Sequence, residues 1–584
     1  MDLTPETEEQ RLRENHRKRM ARLAADRRRI FAMDPESALD AVLEHPMNTA
    51  LVHSMAEEDF FFLINDIGHH DALEILSLAS NRQWEYILDI EGWQRDRMQL
   101  DSVAYWMNLM HRADPGRFIR WSTTEKYDIL EYFINQKAWI VVREQDEDPG
   151  DIGDGFFTCD DVFYIRFSDD AFAGFEDEED REEIEDFVYT MIRRIADEDH
   201  GAYQMMLLRA ASVIPGECEE EAYRFRNVRL SEKGFLPFEE AVGVYAPVRP
   251  SSIRKKQRIR EAKDASGDFS MPVPVNHRAM LDHDTLFGRA IASPLLQTNM
   301  DDVQIEFASL CNRIIAADQR PMREKESLRE MVRKACGYLE IGIHRIAGTR
   351  RPPDTEHAAA IIRDHRLEDI FRTGYALVLD LQRKAVRWKK QGWFTRNRLA
   401  LSFWGEHLVG HIGGLLLKHP KYFDNYRNGL LYREFSSMED LRGAKRALDE
   451  AAVMDSLLSS MNIDTGAFPE DRFVTAFNCL LTLWAKSRLE ENEPAGPEPI
   501  PVKTFKSFYR TLWEPAGSVR RIREASKTDF LEWLADRSGW ETPAVSQSAS
   551  EYLEKLFATV ESELAGVAEE HLDYRYVEIF LLSR

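Results

Sequence analysis

Residues 57–88 read EEDFFFLINDIGHHDALEILSLASNRQWEYIL, and this stretch determines the fold class of the chain. Apolar residues recur in it at the three- and four-residue spacing of amphipathic helices. Gly68 suits the position after a helix end, because glycine adopts the left-handed backbone conformation without strain. The stretch therefore predicts short helices joined by tight turns, with His69 and His70 in the first turn.

Two adjacent histidines also raise the question of a metal site. Neighbouring residues on a helix point about 100° apart, so His69 and His70 would chelate a single ion poorly. We interpret the pair as a linker, and we expect Asp71 in the first turn of the next helix, where negative charge is favourable.

Three capping-box patterns predict further helix starts in residues 36–142. In this motif a serine oxygen accepts a backbone N–H three residues later, while a Glu or Gln side chain accepts the amide of the serine. Short helices separated by two or three residues stack as antiparallel pairs. The three patterns are Ser54 with Glu57, Ser80 with Gln83, and Ser122 with Glu125.

Part of this region resembles a known family. The residues concerned are Glu57–Asp59, Leu63, Ile67, Ala72–Leu76 and Trp84–Leu88. Their pattern is similar to the short-helix superhelix at the cytoplasmic start of MgtE-type magnesium transporters, and to units at the front of a poorly characterised family of large acidic bacterial proteins. The resemblance implies a superhelical domain, and no magnesium ligand is transferred from it. It does not imply transport, because no membrane segment follows in the sequence.

Composition limits the classes of function. The 584 residues contain 102 acidic and 77 basic side chains, which gives a formal net charge of −25. Such a charge repels nucleic acids and anionic membranes. The longest apolar run, Leu408–Leu417, is about half of the roughly 20 residues that a membrane helix needs. Five cysteines without a CxxC pair indicate neither a disulfide framework nor a zinc ribbon. We therefore expect a soluble, cytoplasmic protein without membrane insertion.

Two basic segments stand out against this acidic background. They lie at residues 11–29 and 254–260. We interpret both mainly as solvated charge, and we expect nucleic-acid contacts, if there are any, only from these two segments.

Residues 143–187 form an acidic insertion. Residues 155–158 and 162–167 flank a three-residue loop and predict a β-hairpin. Asp146 and Asp148 begin the spacing of a calcium-binding loop, but Gly150 occupies the next ligand position. The alternatives are a divalent-cation site and a flexible acidic segment that attracts a basic partner.

The next segment, residues 188–250, contains Glu219–Glu221 close to Arg224, Arg226 and Arg229. An ion network between helices is favoured over an anion-binding cleft, because the acids match the arginines in number.

The sequence as a whole predicts a mainly α, multi-domain architecture of helical hairpins with one small β-hairpin insertion. The predicted segments are a basic helical leader (1–35), a short-helix superhelical domain (36–142), the acidic insertion (143–187), a helical extension (188–250), a linker with a basic cluster (251–283), a central helical domain (284–490), a Pro-rich linker (491–505) and a C-terminal helical unit (506–584).

One group of residues, on a single predicted helix, could bind a metal ion. His407 and His411 are four residues apart, which places them on one helix face, and Glu406 is adjacent. The order of residues matches no zinc-protease motif, and a metal site would need a third ligand such as His344 or His365. Glycines beside the histidines indicate close helix packing as the alternative.

No phosphate-binding loop, dinucleotide-binding fingerprint or nucleophile elbow occurs in the sequence. We therefore expect a non-enzymatic scaffold, adaptor or regulatory protein that binds a protein partner of unknown identity through helical surfaces. A metal-dependent enzyme centred on His407 and His411 is the first alternative, with a divalent metal as its cofactor. A divalent-cation-responsive regulator is the second.

Overall fold

The computed structural model describes residues 5–584 apart from 145–146, 169, 176, 213, 257–283, 320–324, 349–351, 470–471, 491–493 and 515–519. The fold is mainly α, as the sequence predicts. The helices are, in chain order, α1 (Pro5–Ile30), α2 (Pro35–Leu43), α3 (Asn48–His53), α4 (Glu57–Ile67), α5 (Leu73–Leu78), α6 (Asn81–Glu91), α7 (Leu100–Ala113), α8 (Pro115–Thr124), α9 (Tyr127–Lys137), α10 (Glu178–Glu198), α11 (His200–Ser212), α12 (Pro215–Glu232), α13 (Phe238–Ala241), α14 (Leu286–Ile291), α15 (Met300–Asp318), α16 (Lys325–Ala347), α17 (Thr355–Asp364), α18 (Leu367–Gln391), α19 (Trp393–Arg396), α20 (Glu406–Leu416), α21 (Met438–Ser460), α22 (Ala476–Leu489), α23 (Val502–Leu512), α24 (Glu524–Ser538) and α25 (Thr542–Leu564).

The strands are short and form small sheets. They are β1 (Trp93–Gln94), β2 (Arg97–Met98), β3 (Ala138–Val142), β4 (Phe157–Thr158), β5 (Phe163–Phe167), β6 (Tyr422–Phe423), β7 (Tyr432–Arg433), β8 (Ile500–Pro501) and β9 (Leu582–Ser583). β1 pairs with β2, β6 with β7 and β8 with β9, while β3, β5 and β4 form one three-stranded antiparallel sheet in that order. Short 3₁₀ turns lie at Pro149–Asp151, Val242–Tyr245, Pro250–Ser252, Pro294–Asn299, Leu401–Trp404, Thr465–Ala467 and Glu569–His571.

Two compact units divide the chain. Unit 1 comprises Met1–Ala246, Ser252–Leu339 and Thr349–Arg372. Unit 2 comprises Pro247–Ser251, Glu340–Gly348 and Thr373–Arg584. Among the described helices, none combines the length and the apolar composition that a membrane span requires.

Residues 57–88 of unit 1 form the predicted short helices, with the histidine pair in the turn between two of them. α4 ends at Ile67, and Gly68 follows with a φ of 101°. His69 lies in the turn, where Nδ1 is 2.9 Å from the Tyr105 hydroxyl and Nε2 is 2.8 Å from Asn65 Oδ1. Asp71 is not in the first turn of the next helix, because α5 begins only at Leu73.

One of the three predicted capping boxes is confirmed. Ser80 accepts the Gln83 amide, and the Gln83 side chain accepts the Ser80 amide at 2.7 Å. The other two predictions are wrong, because both serines belong to the end of a preceding helix. Ser54 donates to the Leu51 carbonyl after α3, and Ser122 donates to the Ile119 carbonyl inside α8.

The β-hairpin predicted in the acidic insertion is confirmed as β4 and β5. The sequence does not predict β3, which directly follows α9 and pairs with β5 along its whole length. Ile165 at the centre of β5 is fully buried, so the sheet contributes to the core of unit 1.

In unit 2 the last helices pack around α21. The C-terminal helices bury six large side chains in this core; these are Phe530, Trp533, Leu534, Tyr552, Leu553 and Leu556. The N-cap of α21 is Ser437, whose side chain accepts the Asp440 amide. β8 joins this unit through its parallel pairing with β9 near the C-terminus.

Candidate functional site

Helix α12 in unit 1 directs charged side chains toward the protein interior. Glu219 is 7% exposed, and its carboxylate accepts hydrogen bonds from Arg97 Nη1 at 2.7 Å and from the Met98 amide at 2.9 Å. Both donors lie on β2, so the β1–β2 hairpin is fixed to the first half of α12.

Asp89 on α6 forms hydrogen bonds with arginines on the inward face of α12. Its carboxylate accepts hydrogen bonds from Arg229 Nε at 2.8 Å and from Arg229 Nη2 at 2.7 Å. The Asp89 carbonyl oxygen accepts a third hydrogen bond from Arg226 Nε at 2.6 Å. Burial raises the pKa of Asp89, and the Arg229 guanidinium opposes this shift. A bidentate pair of this kind combines strength with a fixed geometry.

Lys233 completes the inward face just after α12 ends. Its Nζ atom donates to Glu57 at 2.6 Å and lies 3.5 Å from Glu58, both at the start of α4. Burial raises the pKa of Glu58, opposed by Lys233. Burial alone would lower the pKa of Lys233, but the carboxylates of Glu58 and Glu57 reverse the shift and raise it. The predicted ion network is therefore present, although its acids come mainly from α4 and α6.

The outward face of α12 carries two exposed apolar side chains among polar ones. Phe225 is 46% exposed and Val228 is 58% exposed, and residues three apart share one helix face. An ordinary surface helix turns its apolar residues inward and its charges outward. α12 instead buries Glu219 beside Ala222 and Leu230, and leaves about half of the Phe225 and Val228 surfaces in solvent.

A groove of about 580 Å³ runs beside this face. We call it the α12 groove, and its apolar lining consists of Tyr223, Val228, Leu236 and Pro237. A wider cleft of about 870 Å³ shares Tyr223, Leu236 and Pro237 with it and extends to the β1–β2 hairpin. Both volumes lie in the range of natural ligand-binding clefts.

Carboxylates dominate the polar lining of the α12 groove. Glu217, Glu220, Glu221 and Glu240 line it, and Arg224 is the guanidinium among its lining residues. Arg224 lies 3.8 Å from Glu221, with both side chains mostly in solvent. The groove thus combines an apolar floor with an acidic rim.

The predicted metal residues lie on α20 in unit 2. The rings of His407 and His411 are 5.0 Å apart between centroids, and Glu406 is exposed in the first turn. His411 is 9% exposed and packs against Tyr422 and Phe423 of β6. Burial, and to a smaller extent the neighbouring His407, lowers the pKa of His411 to about 4.

Glycines on α20 allow the β6–β7 hairpin to pack closely. A Cβ atom on Gly410 would lie 2.5 Å from the Phe423 ring, and one on Gly414 would lie 2.4 Å from the Lys421 carbonyl oxygen. Within the described parts of the chain, no group of three or more His, Cys, Asp or Glu residues could hold a metal ion. The metal site at Glu406, His407 and His411 therefore stays a prediction without a third ligand.

Aspartate side chains of the acidic insertion accept hydrogen bonds from backbone amides of the same segment. Asp160 accepts the amides of Val162 at 3.0 Å and Phe163 at 2.9 Å, and Asp148 accepts the amide of Gly150 at 3.0 Å. These contacts shape turns. Residue 146 of the calcium-like spacing lies outside the described residues, so the divalent-cation prediction is untested.

The two basic segments differ in their contacts. On α1, Arg17, Arg19 and Arg22 are exposed. In the second segment, Lys256 Nζ donates to Glu306 at 2.6 Å, and Lys255 lies 3.9 Å from Asp364. Residues 257–260 lie outside the described part of the chain. Part of the second segment is thus engaged within unit 1.

Sequence reasoning missed the α12 groove, although a signal was present. Glu219, Ala222, Arg226, Arg229 and Lys233 follow the spacing of a single helix face, and Val228 falls on the opposite side, with Phe225 between the two. Only the partner residues on α4 and α6 reveal which of the two faces is buried.

Comparison with known proteins identifies a family but no function. The search found no matching curated protein and no matching solved structure. A family model described as "Family of unknown function (DUF6178)" matches residues 15–583, which is almost the entire chain. The chain therefore belongs to the family of unknown function DUF6178.

Proposed function

We propose that this protein is a non-enzymatic binding module whose α12 groove receives a segment of another protein. The observation that carries the proposal is the apolar pair on the exposed side of α12. Buried ion pairs of Glu219, Arg229 and Lys233 fix the orientation of the helix, while Phe225 and Val228 stay partly exposed and Val228 lines the α12 groove. Exposed apolar surface next to a groove is typical of a protein-binding site.

The inward ion pairs strengthen this argument, because they fix which face is presented. Rotation of α12 would bury Phe225 and Val228 only by breaking contacts to Asp89, Glu57 and Arg97. Removal of one partner of a buried charge pair costs about 3–5 kcal/mol. The orientation is therefore stable, and the groove is preformed, which reduces the cost of binding.

The resemblance of residues 36–142 to the superhelical start of MgtE-type transporters supports the same class of function, because superhelical domains present extended binding surfaces. The metal-dependent enzyme at His407 and His411 and the divalent-cation regulator are alternatives that no contact among the described residues favours.

Site-specific photo-crosslinking in the native host tests the proposal. A benzophenone amino acid at position 228 should yield a discrete adduct with one protein, and mass spectrometry should locate the crosslinked segment. The same probe at Tyr576, which is 76% exposed in unit 2, is the matched control. The adduct should disappear when Phe225→Glu is added to the position-228 probe. Equal adduct patterns at both positions would refute the proposal.

A further inference from the structure

We infer, building on the proposed function, that the segment bound in the α12 groove is a cationic amphipathic helix, with apolar anchors flanked by Lys or Arg side chains. The outward stripe of α12 provides the template. Glu221, Phe225, Val228 and Glu232 follow each other at the spacing of one helix face, so an acid stands at each end of the apolar pair. Glu221 and Val228 of this stripe also line the α12 groove, and Phe225 and Glu232 extend the stripe beyond it. A partner helix of complementary pattern would place its apolar residues at the centre and its cations at both ends.

The charge of the α12 groove also favours a cationic partner. Four carboxylates and one guanidinium line it. The other cations of this helix cannot neutralise that rim, because Arg229 and Lys233 are committed to Asp89, Glu57 and Glu58 on the inner side. A cationic segment would gain both Coulomb attraction and a faster encounter from such a rim, whereas an acidic segment or a nucleic acid would be repelled.

The length of the outward face of α12 suits a partner segment that is helical. From Glu217 to Glu232 the outward face of α12 is about 22 Å long at 1.5 Å per residue, which is the length of about four helical turns. Apolar anchors at positions i, i+3 and i+7 of a partner helix reach along such a groove. A polyamine shares the positive charge but lacks the apolar anchors, so it would satisfy the rim and leave Val228 and Leu236 exposed.

Fluorescence anisotropy with the full-length protein and defined peptides tests this inference. The first probe is an 18-residue helical peptide with leucines at i, i+3 and i+7 and lysines at both ends. The second has glutamates in place of the lysines, and the third has serines in place of the leucines. We expect saturable binding of the first peptide alone, weakened at least about fivefold between 50 and 300 mM salt.

Charge reversal of the rim separates local from global electrostatics. Glu221→Lys combined with Glu240→Lys should weaken binding of the first peptide at least about tenfold. Glu532→Lys combined with Glu554→Lys adds the same charge at exposed positions of unit 2 and should change the affinity less than about twofold. Equal losses in both variants would mean that only the overall negative charge attracts the peptide, and the inference would be wrong.

The crosslinking experiment distinguishes the two levels of the proposal. A specific adduct at position 228 that forms equally well with Glu221→Lys and Glu240→Lys in the same chain would overturn the cationic partner and leave the binding function standing. The absence of any specific adduct at position 228 would overturn the binding function itself.

Discussion

Two helices of this protein have unusual sequences, and the structure accounts for only one of them. α20 contains glycines and a buried histidine, and all of these features serve its packing against the β6–β7 hairpin. α12 forms buried ion pairs on its inner side, and its own unit leaves the apolar pair Phe225 and Val228 about half exposed. Packing is enough to explain the composition of α20, whereas the exposed apolar pair of α12 is the basis of the proposed binding function. Substitutions in the two helices can test that contrast.

Lys233→Met removes the cation that two buried carboxylates share. We expect the free energy of unfolding to fall by about 3–5 kcal/mol near pH 8, because Glu57 and Glu58 lose their partner while they remain buried. Burial already raises the pKa of Glu58, so this acid becomes protonated as the pH falls. The loss of unfolding free energy should therefore be smaller near pH 5.

Urea unfolding of the full chain at both pH values measures this effect. Lys445→Met is the control, because Lys445 forms an exposed pair with Asp449 one helical turn away in α21. Such pairs contribute about 0.3–0.5 kcal/mol. Equal effects of the two substitutions would show that the inner face of α12 is not a buried ion network.

His411 gives α20 a pH dependence. The pKa of this histidine is lowered to about 4 in the fold, so the unfolded chain binds the proton first as the pH falls below about 6.5. The contribution of neutral His411 to the free energy of unfolding is therefore fully present above pH 6.5. It is lost between about pH 6.5 and 4, by up to about 3 kcal/mol. His411→Gln should flatten this part of the stability curve, while His571→Gln at an exposed position should retain the wild-type slope. Parallel curves for wild type and His411→Gln would contradict the packing interpretation of α20.

The contrast between the helices also explains what the sequence could predict. α18, Leu367–Gln391, has a local periodicity of apolar residues that the sequence alone shows. The capping box at Ser80 is local as well. Ser54 and Ser122 match the same pattern, yet each lies at or within the end of a preceding helix, where its hydroxyl bonds a carbonyl of that helix.

Features that depend on distant residues escaped prediction. β3 has a partner in β5 that follows more than twenty residues later, and its apolar residues read equally well as the end of α9. Arg229 and Asp89 are 140 residues apart in the chain, so the inward face of α12 could not be assigned from its own sequence. For the same reason, the spacing of His407 and His411 could not distinguish a packing histidine from a metal ligand.

Glycine substitutions should have opposite signs in the two helices. Gly410→Ala introduces a Cβ atom 2.5 Å from the Phe423 ring and should cost about 1–3 kcal/mol, because the buried ring has to move. Gly216→Ala in the first turn of α12 meets no atom within 4 Å and should be neutral or stabilise by up to about 1 kcal/mol. Thermal unfolding of both variants measures the difference. A neutral Gly410→Ala would mean that the hairpin does not pack closely on α20.

The smallest expected effect on stability is the most informative about function. Phe225→Ser and Val228→Ser should each change the free energy of unfolding by no more than about 1 kcal/mol, because about half of each side chain is already exposed. A matched buried substitution, Leu230→Ser on the inner side of α12, should destabilise by several times that amount. If the serine variants were as destabilising as Leu230→Ser, Phe225 and Val228 would be part of the fold and the argument for a docking surface would fail. If they are neutral for stability and abolish the crosslinked adduct, these two side chains contribute to binding alone, because no gain in folding explains their place on an exposed face.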